Sequence, residues 1–439
     1  MNSKFLTVAL IDQALVSLSN FLLTLFLARV LHPQEFGLYV FSFTSLVLCI
    51  GLMNSIVSMP LTMIGASSDK NEWKEILSNS TLVFLLTGVF LSITFLLISL
   101  FLAEEPYKDN GVALRVLSII VVPYIGQEYT RRILLTKQKV YFALFCDFLT
   151  CGSRLAAIPV MSLWDLASHD FVIYLLGATS LAGMIAGTYW IRFPFTCMVN
   201  RLSKVNLIRI WRVAKWTFAD WVPFVVYGQL YIYIVTFTLG NQANSVLGVC
   251  RNFIAPVMVL EMGLTSYLVP ANRLIFNDHG ANRTISSILK VFFIITFPVA
   301  SYLIAVSIFA SELMGMLFTA YLDYSYAVIY FSIGMFVNYA FAPAQIFLLS
   351  ALKPKTIFYA RVIAATLTIF FCYPLVKLFG INGALYCFIF SHFIMCLAVY
   401  YFVFKYFQKQ SERNITLKGM ASFFLRILTH GWLRLTSIK

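Results

Sequence analysis

The chain has 439 residues, of which 60% are hydrophobic and 11% are charged, and its mean hydropathy is +0.85. An ordinary soluble domain is about 25% charged, and a water-soluble core of this length cannot bury so much apolar surface. The composition therefore excludes a soluble globular protein and a disordered one, and it indicates a polytopic membrane protein. The net charge of +14 has to be compared with membrane topology before any acidic partner is inferred from it.

Twelve apolar stretches follow one another along the chain, each near the length of about 20 residues that a helix needs to cross a bilayer. Their residues do not alternate between apolar and polar as barrel strands do, so helices are expected. The predicted spans are 6–30, 36–64, 79–102, 112–129, 140–161, 171–196, 216–240, 246–270, 291–311, 325–351, 356–379 and 381–405.

Lysine and arginine predict the orientation of these spans. With the N-terminus inside, the outside loops and outer helix ends hold only Arg29, Lys108, Arg115 and Lys377. The positive-inside rule therefore predicts that both termini are cytoplasmic. Because topology accounts for most of the positive charge, nucleic acid is not an expected partner.

The most basic inside segment, 201–215, separates two groups of six predicted helices, 1–200 and 216–405. This connector has the pattern of an amphipathic surface helix or of an ordinary positive-inside loop. The two predicted lobes look related: Asp12 and the run 36–39 (Phe-Gly-Leu-Tyr) have counterparts in Asp220 and the run 247–250 (Leu-Gly-Val-Cys). Residues 406–439 are predicted to form a basic amphipathic tail on the inner leaflet.

The loops argue against an enzyme. The predicted outside loops are short, and the sequence has no phosphate-binding G-x-x-x-x-G-K-[ST], no H-E-x-x-H and no G-x-S-x-G. Twelve helices with short loops and no catalytic motif predict a transporter.

Residues 28–39, Ala-Arg-Val-Leu-His-Pro-Gln-Glu-Phe-Gly-Leu-Tyr, resemble the N-terminal signature of Wzx-type lipid-linked polysaccharide flippases. These belong to the polysaccharide transport family of the MATE-related (MOP) flippase superfamily. Their signature usually reads Arg-x-Leu-Gly-Pro-x-x-Phe/Tyr-Gly, and His32 stands where glycine is common.

The resemblance implies a MATE-like fold over residues 1–405 and a location in the bacterial cytoplasmic (inner) membrane. It implies alternating-access transport of an undecaprenyl-pyrophosphate-linked oligosaccharide for O-antigen, capsule or exopolysaccharide synthesis. The implied partners are that lipid-linked sugar, membrane lipid, and polysaccharide polymerase and chain-length machinery.

An ionisable residue inside a membrane span is costly, so each one is a candidate functional residue. Arginine binds phosphate oxygens bidentately and keeps its charge. Arg154 and Arg251 are therefore predicted to bind the pyrophosphate, followed by Arg29 and Arg361, which can instead reach the membrane surface. Asp147 lies two turns before Arg154 on helix five, so the two can also form a structural ion pair.

Four carboxylates are predicted to couple transport to a proton or sodium gradient, because carboxylates in a low dielectric can exchange protons near neutral pH. They are Asp12, Asp147, Asp220 and Glu261. Ion-pair or helix-terminus roles stay open for Asp12 and Asp220. No cofactor other than the coupling ion, and no metal site, is expected.

Two alternative functions stay open. An ion-coupled multidrug or small-solute antiporter of the related extrusion class would favour acidic residues in its cavity. A membrane polysaccharide polymerase or ligase would favour a large outside loop, which the sequence lacks.

Overall fold

The computed structural model describes residues 3–65, 68–164, 166–191 and 202–411, and these residues form helices of membrane-spanning length. Gly280, with φ 75° and ψ −176°, divides the segment Asn241–Ile308 into two helices. A short helix, Ala310–Leu317, and a 3₁₀ turn, Thr319–Tyr324, follow that segment. The long helices are α1 Ser3–Val30, α2 Pro33–Gly65, α3 Lys70–Phe101, α4 Lys108–Thr136, α5 Val140–Leu163, α6 His169–Ile191, α7 Lys204–Leu239, α8 241–279, α9 281–308, α10 Ser325–Ser350, α11 Pro354–Phe379 and α12 Ile381–Ser411.

The helix boundaries follow ordinary capping chemistry. The carboxylate of Asp69 accepts hydrogen bonds from two backbone N–H groups in the first turn of α3, at 2.9 and 2.8 Å. Pro33 and Pro354 occupy first-turn positions in α2 and α11, where the missing N–H costs nothing. Gly240 and Gly380 end α7 and α11 with φ values of 86° and 59°, a region that favours glycine.

Several helices run further than the hydropathy predicts. α4 continues to Thr136 and so includes Arg131 and Arg132, which were expected in a loop. α7 already begins at Lys204, so most of the predicted connector forms the first turns of a spanning helix. The predicted loop 271–290 is helical except at Gly280. The predicted tail lies outside the described residues from 412 onward.

The chain divides into two compact units. Unit 1 holds the described residues up to 225 together with 232–249 and 317–320, and within it α1 packs on α5 while α4 packs on α3 and α6. Unit 2 holds 226–231, 250–316 and the described residues from 321 onward, and within it α12 packs on α10 and α11. The lobe boundaries expected at residues 200 and 216 stay a prediction.

A π-helical turn, Asn54–Ser58, interrupts α2 within unit 1. Pro60 follows it and lacks the N–H that would close an ordinary α-turn. A π-turn shifts backbone carbonyls out of the usual hydrogen-bonding pattern. The Thr217 hydroxyl on α7 donates a hydrogen bond to the carbonyl of Ser55 at 2.5 Å, so this polar group is satisfied by a neighbouring helix.

Two glycines let the first turns of α2 and α8 pack closely in unit 1. A Cβ on Gly37 would lie 1.7 Å from the carbonyl oxygen of Asn241, and one on Gly248 would lie 2.3 Å from a methyl of Val40. The side-chain amide of Asn244 also donates to the carbonyl of Gly37 at 3.2 Å. Gly37 and Gly248 are the glycines of the two related runs at 36–39 and 247–250, so both have a packing role.

Candidate functional site

Arg131 of α4 joins carboxylates from three helices of unit 1. Its Nη2 lies 2.5 Å from Oδ2 of Asp12 on α1, and its Nε lies 2.5 Å from Oδ2 of Asp147 on α5. Its Nη1 lies 3.3 Å from Oε2 of Glu128, one turn earlier on α4. The structure therefore brings together two of the predicted coupling carboxylates, Asp12 and Asp147, through a cation that they share.

The cluster around Arg131 is buried and fully hydrogen-bonded at Asp147. The Asp147 side chain has 0% exposure, and its second oxygen accepts a hydrogen bond from the Gln127 amide at 2.7 Å. Arg132 pairs with Glu128 at 2.7 Å. With every group ionised, the three carboxylates outnumber the two guanidinium groups by one negative charge, so binding one proton or one monovalent cation would neutralise the cluster.

Arg154 on α5 is a buried cation with no carboxylate partner in the described part of the chain. Its side chain donates to the hydroxyls of Thr179 and Ser180 on α6, at 3.1 and 2.9 Å. The guanidinium carbon lies 5.8 Å from the ring centroid of Tyr124. The residue is 4% exposed, and no carboxylate oxygen of a described residue lies within 4.0 Å of it.

The alternative of an ion pair between Asp147 and Arg154 is wrong, because Asp147 pairs with Arg131 instead. Seven residues of helix separate the two positions by about 10 Å along the axis, so Asp147 reaches a nearer cation on α4. Among the described residues, hydroxyl dipoles and an aromatic ring stabilise the charge of Arg154. A buried charge held in this way is stabilised only partly, so an anion that reached it would bind favourably.

Arg251 of α8 has a comparable environment in unit 2. Its Nη1 donates to the side-chain oxygen of Gln229 at 3.0 Å, and the residue is half-buried. Among the described carboxylates, none lies within 4.0 Å of its guanidinium nitrogens. Two of the predicted arginines thus have neutral hydrogen-bond partners.

Glu261, ten residues further along α8, is held by a neutral side chain. The Asn338 amide on α10 donates to its Oε2 at 2.6 Å. No lysine, arginine or histidine of the described chain lies within ion-pair distance of Glu261. A half-buried carboxylate without a cation is suited to take up a proton or a metal cation.

The other three predicted residues occupy less distinctive positions. Arg29 is exposed, and its Nε donates to the carbonyl of Leu317 at 2.8 Å, a contact within unit 1. Arg361 is half-buried near the start of α11. Asp220 is half-buried in α7. Their predicted roles in binding and ion coupling stay predictions.

The sequence reasoning missed Arg131 and the polar side chains that hold the charged groups. The charge of Arg131 was attributed to the positive-inside rule, because two adjacent arginines follow the apolar part of the fourth predicted helix. Gln127, Gln229 and Asn338 had no signal of their own, since a single amide in an apolar span is also a common packing residue. The usable signal was the run 127–132, Gln-Glu-Tyr-Thr-Arg-Arg, whose charges have i,i+3 and i,i+4 spacing.

Solved structures with the same fold share little sequence with this chain. A multidrug resistance MATE family transporter of the MOP superfamily, in its inward-facing conformation, matches with a TM-score of 0.75 at 12% identity, covering 91% of this chain and 96% of that chain. An outward-facing structure of a MATE family transporter matches with a TM-score of 0.65 at 13% identity, covering 94% and 96%.

A MOP superfamily transporter from Pyrococcus furiosus matches with a TM-score of 0.64 at 14% identity, covering 91% of this chain and 94% of that chain. It is described as having a binding pocket of reverse polarity that suggests a different function. No protein-family model and no curated protein matches the sequence. The chain is therefore an all-helical, multi-pass membrane protein with the fold of MATE transporters, and the predicted fold class is confirmed.

Proposed function

We propose that the protein is a flippase that moves an undecaprenyl-pyrophosphate-linked oligosaccharide across the bacterial cytoplasmic membrane by alternating access. The observation that carries the proposal is Arg154, a cation that is 4% exposed in a spanning helix and has only hydroxyl and aromatic partners among the described residues. Keeping such a charge in a membrane protein costs free energy, which a functional ligand can offset. An anion is the ligand that this site favours.

The chemistry around Arg154 fits a phosphate group. A guanidinium offers paired N–H donors in the spacing of phosphate oxygens. The neighbouring hydroxyls of Thr179 and Ser180 can rotate and donate to a bound anion as well. In unit 2, Arg251 is a second cation with a neutral hydrogen-bond partner.

The fold and the sequence signature support the same assignment. Proteins of this fold include transporters, and the description of the Pyrococcus furiosus protein indicates that pocket polarity varies within the fold. The segment 28–39 resembles the signature of lipid-linked polysaccharide flippases. In the proposed setting both termini are cytoplasmic, and polysaccharide polymerase and chain-length machinery act beside the protein.

Ion coupling belongs to the same proposal. The cluster of Asp12, Glu128 and Asp147 with Arg131 and Arg132 has one carboxylate in excess, and Glu261 has a neutral partner. Glu261 can gain a proton or a sodium ion with no basic side chain of the described residues at ion-pair distance, and the cluster can gain either at its excess carboxylate. We propose that one of them uses the ion gradient to reset the transporter.

A second candidate is an ion-coupled antiporter of organic cations. Glu261 favours it, because a half-buried carboxylate without a basic partner attracts a cation. The fold is shared with multidrug resistance transporters. Arg154 and Arg251 count against it, since they repel a cationic substrate.

Complementation of a flippase-null strain tests the proposal. We expect the wild-type gene to restore surface polysaccharide, and the double variant Arg154→Ala, Arg251→Ala to leave lipid-linked intermediates accumulated at equal expression. Arg115→Ala removes an exposed cation from α4 and is the matched control, which should complement fully. Wild-type levels of surface polysaccharide with the double variant would reject the cationic site, and cation efflux in vesicles would favour the antiporter.

A further inference from the structure

α7 is longer than a single crossing of the membrane requires. Its 36 residues, Lys204–Leu239, have a length of about 54 Å, whereas the hydrocarbon core of a bilayer is about 30 Å thick. Because the chain turns from α7 into α8 at Gly240, the excess length lies at the Lys204 end. Residues 204–216 therefore reach from the edge of the hydrocarbon core into the headgroup region, on the cytoplasmic side in the predicted topology.

One face of these first turns of α7 is fixed to α3 within unit 1. Nη1 of Arg209 lies 2.5 Å from Oε1 of Glu72, and the side-chain amide of Asn206 donates to Oε2 of Glu75 at 2.9 Å. Between them, Ile210 is 2% exposed and packs in an apolar core cluster of unit 1. These contacts determine which face of the helix is turned away from the protein.

The face turned away carries three cations and two indole rings. Lys204, Arg212 and Lys215 are exposed, and Trp211 and Trp216 are 61% and 57% exposed. Positions 204, 211, 212 and 215 have the spacing of one side of a helix, and the Lys215 amine lies 5.8 Å from the ring centroid of Trp216. We name these five residues the basic face.

The positive charge of the basic face is not neutralised by neighbouring side chains. Within the part of the chain that the structure describes, no carboxylate oxygen lies within 4.0 Å of a side-chain nitrogen of Lys204, Arg212 or Lys215. Between positions 192 and 219 the sequence has six basic residues and no aspartate or glutamate. The surface therefore complements a negatively charged partner.

We propose that the basic face binds the headgroup phosphates of anionic phospholipids in the cytoplasmic leaflet. Lysine and arginine at this depth attract anionic headgroups, and exposed tryptophans are typical of the membrane–water interface. An acidic protein would meet the same cations. A lipid is the better match, because these turns continue directly into a spanning helix and so have headgroups beside them.

This inference goes beyond the proposed function. It rests on the predicted orientation of α7 and is independent of the transported substrate. It assigns the basic connector segment, which hydropathy alone describes as a loop or a surface helix, a defined ligand. The charges that orient the protein in the membrane would thereby also select the lipids around unit 1.

The test uses the purified full chain in a neutral detergent. The probes are phosphatidylglycerol, which is anionic, and phosphatidylcholine with the same acyl chains, which is zwitterionic. Native mass spectrometry measures how tightly each lipid is retained. We expect phosphatidylglycerol to be retained about tenfold more tightly, because three cations act on its net negative charge. Equal retention of the two lipids would leave the basic face to an acidic protein and would reject the proposal.

A phosphatidylglycerol with a photoreactive diazirine in its headgroup locates the site. Crosslinked peptides, mapped by mass spectrometry, should include residues 204–216. Crosslinks confined to other segments would overturn the proposal even if the protein prefers the anionic lipid.

The triple variant Lys204→Gln, Arg212→Gln, Lys215→Gln removes the cations of the basic face. It should reduce the preference for phosphatidylglycerol to less than about twofold, because the tryptophans alone do not select charge. Folding should be unaffected, since the three side chains are exposed. Should the triple variant fail to fold, Arg212→Glu alone should lower the preference about fivefold and Arg212→Lys should keep it. An unchanged preference in Arg212→Glu would reject the site.

The matched control removes three exposed cations from unit 2, on the same side of the membrane in the predicted topology. It is the triple variant Arg283→Gln, Lys290→Gln, Lys353→Gln, and it should keep the preference for phosphatidylglycerol. If the control loses the preference as fully as the basic-face variant does, the effect follows net charge and the proposed site is rejected.

The outcome is separate from that of the flippase proposal. Lipid retention is measured on purified protein without any transported substrate, whereas complementation of a flippase-null strain scores the substrate. A protein that fails to complement but selects phosphatidylglycerol through 204–216 rejects the flippase proposal alone. A protein that complements but retains both lipids equally rejects the lipid site alone.

Discussion

Arg131 and Asp12 form an ion pair with 2.5 Å between Nη2 and Oδ2, across 119 positions of sequence. Asp12 is 1% exposed, and the Arg131 side chain is 12% exposed. The pair links α1 to α4, and the same guanidinium links α5 to α4 through Asp147. Buried ion pairs add little net stability as formed, but removing one partner leaves an uncompensated charge.

Arg131→Gln should destabilise the protein by about 3–5 kcal/mol, because Asp12 and Asp147 would both lose their cation. The midpoint of thermal unfolding in detergent measures the effect. Arg132→Gln is the matched control, since Arg132 is adjacent, 43% exposed at its side chain and paired only with Glu128. Equal midpoints for the two variants would contradict the structural role of Arg131.

Gly37→Ala should destabilise unit 1 by about 3 kcal/mol, because its methyl group would overlap the carbonyl of Asn241, a backbone atom that cannot move aside alone. The same substitution at Gly152 meets nothing within 4 Å. Gly152→Ala should therefore be neutral or stabilise the helix by up to about 1 kcal/mol. The two variants are compared by their expression yields and by their midpoints of thermal unfolding. A Gly37→Ala protein as stable as the wild type would reject the packing role of Gly37.

If Glu261 couples transport to an ion as proposed, Glu261→Gln should remove that ion dependence and leave folding intact, because glutamine can keep the hydrogen bond with Asn338 but cannot carry a negative charge. Substrate movement in proteoliposomes with and without a sodium or proton gradient measures this. We expect at least a tenfold loss of gradient-driven rate, equivalent to about 1.4 kcal/mol. Glu312→Gln, on the exposed face of the short helix after α9, is the control. A full gradient response in Glu261→Gln would assign coupling to the Arg131 cluster.

Thr217→Val should cost about 1 kcal/mol, because the Ser55 carbonyl at the π-turn would lose its donor from α7. Thr94→Val is a suitable control, since Thr94 is half-buried and its hydroxyl donates a hydrogen bond only within its own helix, to the carbonyl of Phe90. Unfolding midpoints again provide the measurement. Protease sensitivity around residues 54–60 should increase in Thr217→Val alone.

The hydropathy of the chain was sufficient to predict twelve helices, because burial in lipid requires long apolar segments whatever their partners are. It was insufficient at Arg131, since two of the three carboxylates that pair with this helical arginine come from α1 and α5. The same holds for the pairing of Asp147, which depends on how α4 and α5 face one another. Arg154 was identified correctly as an intramembrane charge, but its hydroxyl partners on α6 follow from helix rotation, which one sequence does not determine.

The close approach of Gly37 to Asn241 gives the signature-like run at 28–39 a role in helix packing. Its proline begins α2 and its glycine allows the contact of that helix with α8, and neither is among the partners of the buried cation at 154. The glycine and the proline of the signature therefore have structural roles in this protein. Under the proposed function, proteins of this fold that move different substrates should differ in charge or in hydroxyl groups at the positions of Arg154, Thr179 and Ser180.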